Sequence, residues 1–147
     1  MVSLYRKPII SEKIIILDGI SGTGKTLMAP ILSSYENIEL GKFEYIKECI
    51  CILTGMGKID GDTAIHLLNI YADVSIFDSF IGRNINFRYD DLSSVFNTSQ
   101  KYKYFKRIFS SYSGKNILEQ IKINRPPSLI ITHQIFPHID IMFKAYD

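Results

Sequence analysis

The chain has 147 residues, 46% of them hydrophobic, and a formal net charge of +2. That is enough apolar material for one domain with a packed core, and it argues against disorder. No apolar run approaches the roughly 20 residues a membrane helix needs. Residues 1–13 hold charges and a proline where a signal peptide would be apolar, so a cytoplasmic location is expected.

In chain order, residues 13–18 read as a buried strand, followed by a glycine-rich loop. Leu27-Met28-Ala29 begins a helix that Pro30 kinks or shortens. Residues 37–40 are a candidate short strand. Phe43, Ile46, Ile50 and Leu53 share a helical face, with Gly55 as the stop. Asp62 is placed to cap a helix carrying Ile65, Leu68 and Tyr71. Residues 74–78 then read as a strand ending in an acid, and 91–96 as a weak helix. Ser99 is a cap for a helix with Tyr104, Phe105, Ile108 and Tyr112 inward. A further helix spans about 115–123 and ends at Arg125-Pro126-Pro127. Residues 128–132 are a buried strand, and Pro137 opens a last helix with Ile139, Met142, Phe143 and Tyr146.

Strands alternating with helices predict an α/β domain with a mainly parallel sheet and helices on both faces. We expect one domain over 1–147, with a basic helical insertion at about 83–125. That segment holds nine Lys and Arg against three acids, a suitable surface for an anionic ligand or a solvated helix face. No nucleic-acid module pattern is present. The last helix should lead to another strand, which suggests a domain truncated at its C-terminus. Cys49 and Cys51 are too close for an ordinary bridge and too few for a zinc site, so they read as reduced thiols.

The most informative pattern is Gly19-Ile20-Ser21-Gly22-Thr23-Gly24-Lys25-Thr26, a complete G-x-x-x-x-G-K-T. Its glycines let successive backbone N–H groups turn toward one anion, and the following helix N-terminus adds its own. Lys25 supplies a cation for the terminal phosphates, and the Thr26 hydroxyl is suited to magnesium. Ligands of parallel sheets sit at the carboxyl ends of strands, where Asp18, Asp78 and His133 are expected. Asp78 is the candidate acid for magnesium, and Asp18 the candidate brace of the loop. His133 is a candidate base for an acceptor hydroxyl. Arg83 and Arg88 are candidates for neutralising a transferred group or clamping an acidic acceptor.

Residues 14–26 resemble the nucleotide-binding loop of phosphate-loop NTPases, including small-molecule kinases. The resemblance implies a three-layer α/β/α fold that binds ATP or GTP with magnesium. It carries Gly19, Gly22, Gly24, Lys25 and Thr26 over as nucleotide contacts. A second stretch, Arg125-Pro126-Pro127-Ser128-Leu129-Ile130-Ile131-Thr132-His133 with Phe136-Pro137, is similar to the sulfotransferase segment that bears a Thr-His pair at a strand end. Ser21-Gly22-Thr23 echoes the sulfotransferase loop for the 5′-phosphosulfate. That resemblance implies 3′-phosphoadenosine 5′-phosphosulfate as donor and His133 as base. Ile20 departs from it, standing where sulfotransferases place a lysine, and so does the full Gly-Lys-Thr ending. Three readings follow. The leading one is ATP- or GTP-dependent phosphoryl transfer to a small anionic or hydroxyl-bearing acceptor. Lys25, Thr26, Asp78 and either Arg83 or Arg88 would carry it. The others are a sulfotransferase-like domain and a nucleotide-binding module without catalysis.

Overall fold

A computed structural model describes Leu4, Ile10 and residues 13–35, 37–111 and 113–147. Strand β1 is Ile14–Leu17, β2 is Lys42–Phe43 and β3 is Ser128–Ile131. Helices are α1 (Lys25–Leu32), α2 (Tyr45–Gly55), α3 (Gly61–Phe80), α4 (Lys101–Phe109), α5 (Gly114–Asn124) and α6 (Asp140–Tyr146). Single 3₁₀ turns form at Val95–Asn97 and Phe136–His138.

The three strands make one parallel sheet in the order β1-β3-β2. β3 is central, and all four of its residues are buried. Alternation along the strands gives the sheet two apolar faces. Ile15, Leu17, Leu129 and Ile131 pack with Ala29 and Leu32 of α1. Ile16 packs on the other side with Ile50 and Cys51 of α2, Ala64 and Leu68 of α3, and Ile141 and Met142 of α6. The fold is thus α/β, mostly helical, with a small open parallel sheet covered on both faces. No described helix is long and apolar enough to cross a membrane.

The predicted strand at 74–78 is a helix. Asp60, not Asp62, caps it: its carboxylate accepts from the Thr63 amide at 2.9 Å and the Thr63 hydroxyl at 2.7 Å. From there Ala64, Leu68, Ala72, Ile76 and Phe80 fall on every fourth residue, and all are buried. Ile76 and Phe80 pack on Ile117 and Ile121 of α5. This continuous buried ridge overrides the strand preference of Val74, Ile76 and Phe77. Gly82 ends the helix with φ +77°; its amide bonds Ser79 O, and the Arg83 amide bonds Asp78 O.

Other boundaries also move. α2 ends at Gly55 as expected, and the turn after it closes at Gly57 (φ +67°) through bonds from Gly57 N to Thr54 O and Lys58 N to Leu53 O. Gly55 also serves close packing, since a Cβ there would stand 2.1 Å from His138 Nδ1. Residues 37–40 only touch the sheet, through Glu39 N to Pro127 O at 3.2 Å. The strand forms at Lys42, after Gly41 has let the backbone pass Leu129, 2.7 Å from where a Cβ would lie. Residues 91–96 fold as turns and the Val95–Asn97 3₁₀ turn, not a helix. The N-cap of α4 is Gln100, not Ser99, and no side chain caps the helix; the Thr98 hydroxyl accepts the Gln100 amide just before it. Tyr112 lies outside the described residues. α1 does contain Pro30 and is short, ending at Leu32.

Candidate functional site

The loop from Gly19 to Gly24 leaves the carboxyl end of β1 and enters α1 at Lys25. Gly22 (φ +85°) and Gly24 (φ +83°) hold the left-handed geometry that the winding of the loop requires. The amides of Gly22, Gly24, Lys25 and Thr26 find no acceptor among the described residues. Unpaired amides at a helix start are a ready set of donors for an anion. The Lys25 side chain folds back over the loop and is 6% exposed. Its ammonium donates to Gly19 O and, at 2.7 Å, to Ile20 O. The Thr23 hydroxyl donates to Ile20 O at 2.8 Å, while Ser21 stays exposed.

Thr26 opens onto a cleft of about 670 Å³. Its other walls are Lys42 and Phe43 of β2 and residues 88–92, from Arg88 to Leu92. Leu92 anchors that segment in the α1 side of the core. Lys42 donates to Asn84 Oδ1 at 2.8 Å. Asp91 accepts from the Ser93 hydroxyl and amide at 2.7 and 2.9 Å, and these bonds hold its carboxyl below the usual range. No group of three or more metal-ligating side chains gathers among the described residues.

Asp18, just before the loop, bonds the chain that follows β3 rather than the loop itself. Its Oδ1 accepts the Thr132 hydroxyl at 3.0 Å and the Ile135 amide at 3.2 Å, and its Oδ2 the Phe136 amide at 3.1 Å. His133 follows β3 at the same edge. The Glu44 amide bonds Ile131 O, so α2 starts beside the end of β3, and its first turn brings Glu48 to His133. Glu48 Oε1 accepts the His133 amide at 2.7 Å and lies 2.9 Å from His133 Nδ1.

Asp78 and Arg83 do not join this site. Asp78 sits near the C-terminus of α3 and not at a strand end, because residues 74–78 are helical. Arg83, largely exposed, pairs with it at 3.3 Å across the helix stop. Neither borders the cleft, whereas Arg88 does. The acids that share the cleft with Thr26 are Asp90 and Asp91. Part of the basic 83–125 segment also turns inward. Arg107 reaches Glu39 at 2.6 Å and Lys103 reaches it at 2.9 Å. Burial would raise the Glu39 carboxyl, but these two cations hold it below its ordinary value. Arg107 lies over the Phe80 ring at 4.1 Å.

No family model matches the chain, and no matching curated protein or solved structure is found.

Proposed function

We propose that this chain is a phosphate-loop transferase that moves a phosphoryl group from ATP or GTP to a small acceptor in the cleft beside Thr26. One observation carries the reading. The acceptor-free amides of Gly22, Gly24, Lys25 and Thr26, the Lys25 ammonium and the Thr26 hydroxyl all belong to the short stretch where β1 hands over to α1. Phosphoryl transfer asks for positioning and charge stabilisation more than for covalent chemistry, and these groups supply both. A parallel sheet with helices on both faces, its glycine-rich loop at the carboxyl end of β1, agrees with a phosphate-loop NTPase fold.

The residues present fit a nucleotide with magnesium. Thr26 would hold the ion with Asp90 or Asp91, which takes over the role first given to Asp78. The ion would neutralise charge on the phosphates. Arg88 and Lys42 are the cations placed to contact an acceptor or the transferred group. Gly19, Ser21 and Thr23 shape the loop's outer wall.

A second reading, sulfuryl transfer from 3′-phosphoadenosine 5′-phosphosulfate, is favoured by the Glu48–His133 contact at the strand end. Thermal melting of the whole chain with ATP, GTP and adenosine 3′,5′-bisphosphate, each with and without magnesium, separates the two. A magnesium-dependent rise with ATP or GTP supports phosphoryl transfer. A rise with the bisphosphate alone, lost in Ser21→Ala or Thr23→Ala, supports sulfuryl transfer. Binding without turnover across an acceptor panel leaves a non-catalytic module.

A further inference from the structure

In helix α2 the usual sidedness is reversed. A surface helix of a globular domain turns its apolar stripe inward and its charges outward. Here the charges go in: Lys47 is fully buried 3.5 Å from Glu44, itself buried, and Glu48 turns to His133. Ile46 and Leu53, which share a helical face with Ile50 in the sequence, stay outside while Ile50 reaches the core. The side chains exposed along the helix are Tyr45, Ile46, Cys49, Ile52, Leu53 and Met56, with no charge among them. At 3.6 residues per turn they form one stripe roughly 120° wide. The chain after β3 runs beside this stripe, from His133 at Glu48 to His138 at Gly55, and it carries Phe136, 77% exposed.

We propose that this face is an interface with a second copy of the chain, the two α2 helices packing antiparallel about a two-fold axis. The area fits. Fully burying an aliphatic or Met side chain hides about 60–120 Å² of apolar surface, and an aromatic one about 150–250 Å². Scaled by exposures of 38–77%, Tyr45, Ile46, Ile52, Leu53, Met56 and Phe136 offer roughly 300–600 Å² in each copy. A standard interface takes about 800 Å² from each partner, and about 65% of a homodimer interface is apolar, or about 520 Å². The composition fits as well. A face without charge along its whole length gives a different protein nothing to steer or register it. An identical face meets it without repulsion, and the two-fold makes the contact self-complementary. Antiparallel helices centred between Cys49 and Ile52 place Tyr45 of one copy against the partner's Met56, a sulfur–aromatic contact, and Cys49 against the partner's Ile52. Their macrodipoles run in opposite directions. The inference is independent of what the glycine-rich loop binds.

The experiment is sedimentation equilibrium of the whole chain over a concentration series. The wild type should show a monomer–dimer equilibrium, with a melting temperature that rises with concentration. Ile52→Glu puts two glutamates into the two-fold contact and should weaken the dimer on the order of 100-fold. Met56→Glu, at the more exposed end of the stripe, should act in the same direction, so a fold lost in the first variant leaves the second to decide. Ile123→Glu, at a 79% exposed position of α5, should leave the dimer intact. A short bis-maleimide should link the copies through Cys49, since Cys51 is fully buried, and Cys49→Ser should remove that product. A chain that stays monomeric at every concentration overturns the proposal, even if it co-sediments with phosphatidylcholine vesicles, which would give the face to a lipid surface. A dimer indifferent to both α2 substitutions, or weakened only by Ile123→Glu, overturns it too, because the contact then lies elsewhere. A dimer that yields no Cys49 cross-link overturns the antiparallel register.

Discussion

Lys25→Met is the sharpest test of the proposed phosphate-binding role of the glycine-rich loop. Methionine keeps most of the buried stem and removes only the ammonium, which donates to Gly19 O and Ile20 O. Ile20 is 55% exposed, so water can replace the lost donor there, and the ligand-free chain should lose only about 1 kcal/mol. The loss for a bound polyphosphate is larger. Hydrogen bonds to charged groups contribute about 1.5–3 kcal/mol each, so two contacts at the low end amount to about 3 kcal/mol, or roughly 100-fold in affinity. At a nucleotide concentration 100 times the dissociation constant, the wild type gains about 2.7 kcal/mol. For a chain of this size that is a rise of about 5–11 °C in Tm. A 100-fold weaker variant at the same concentration gains only about 0.4 kcal/mol, or about 1–2 °C. Scanning fluorimetry with MgATP, backed by calorimetric titration, reads both numbers. A full nucleotide shift in Lys25→Met would refute the assignment of the loop.

Three further outcomes test the fold around the site. Glu39→Ala leaves Arg107 and Lys103 facing each other without their acid and should cost about 3–5 kcal/mol in urea unfolding; a loss below about 1 kcal/mol would mean the network is solvated. Because the folded Glu39 carboxyl is depressed, its contribution is fully present above its ordinary value of 4.5. It is lost as pH falls through the lower folded value, so the wild-type unfolding midpoint should drop below pH 4.5 more than that of Glu39→Gln. Gly55→Ala drives a methyl into the His138 ring and should cost about 1–3 kcal/mol, while Gly114→Ala, with nothing within 4 Å, should be neutral or stabilising; equal effects would contradict the packing of α2 on the 136–138 turn. Val74→Ala, at a half-exposed position of α3, should stabilise by up to about 0.5 kcal/mol, whereas a strand would lose stability; denaturant midpoints give the sign.

The loop and its flanking elements were legible because their signal is local. Four apolar residues, a spaced set of glycines and a Lys-Thr pair lie within thirteen consecutive positions. Residues 128–131 are legible for the same reason, as an apolar run after two prolines. Asp78 shows the opposite case. Val74-Ser75-Ile76-Phe77 has strand composition, and only the partners of Ile76 and Phe80 on α5 reveal that a helix runs through it. Glu48 had no sequence signal at all. It stands 85 residues from His133, and the two meet only because β2 pairs with β3 and starts α2 at that edge. Asp90 and Asp91 reach the cleft through the anchoring of Leu92 in the core, which no local pattern announces.

Asp18 has a mechanical consequence. Its carboxylate grips the chain on both sides of His133, at Thr132 and at Ile135 and Phe136, while its own backbone continues directly into Gly19. The glycine-rich loop and the segment that carries His133 are therefore joined at one residue. A displacement of the loop's first residues would therefore be passed through Asp18 to the segment that follows β3.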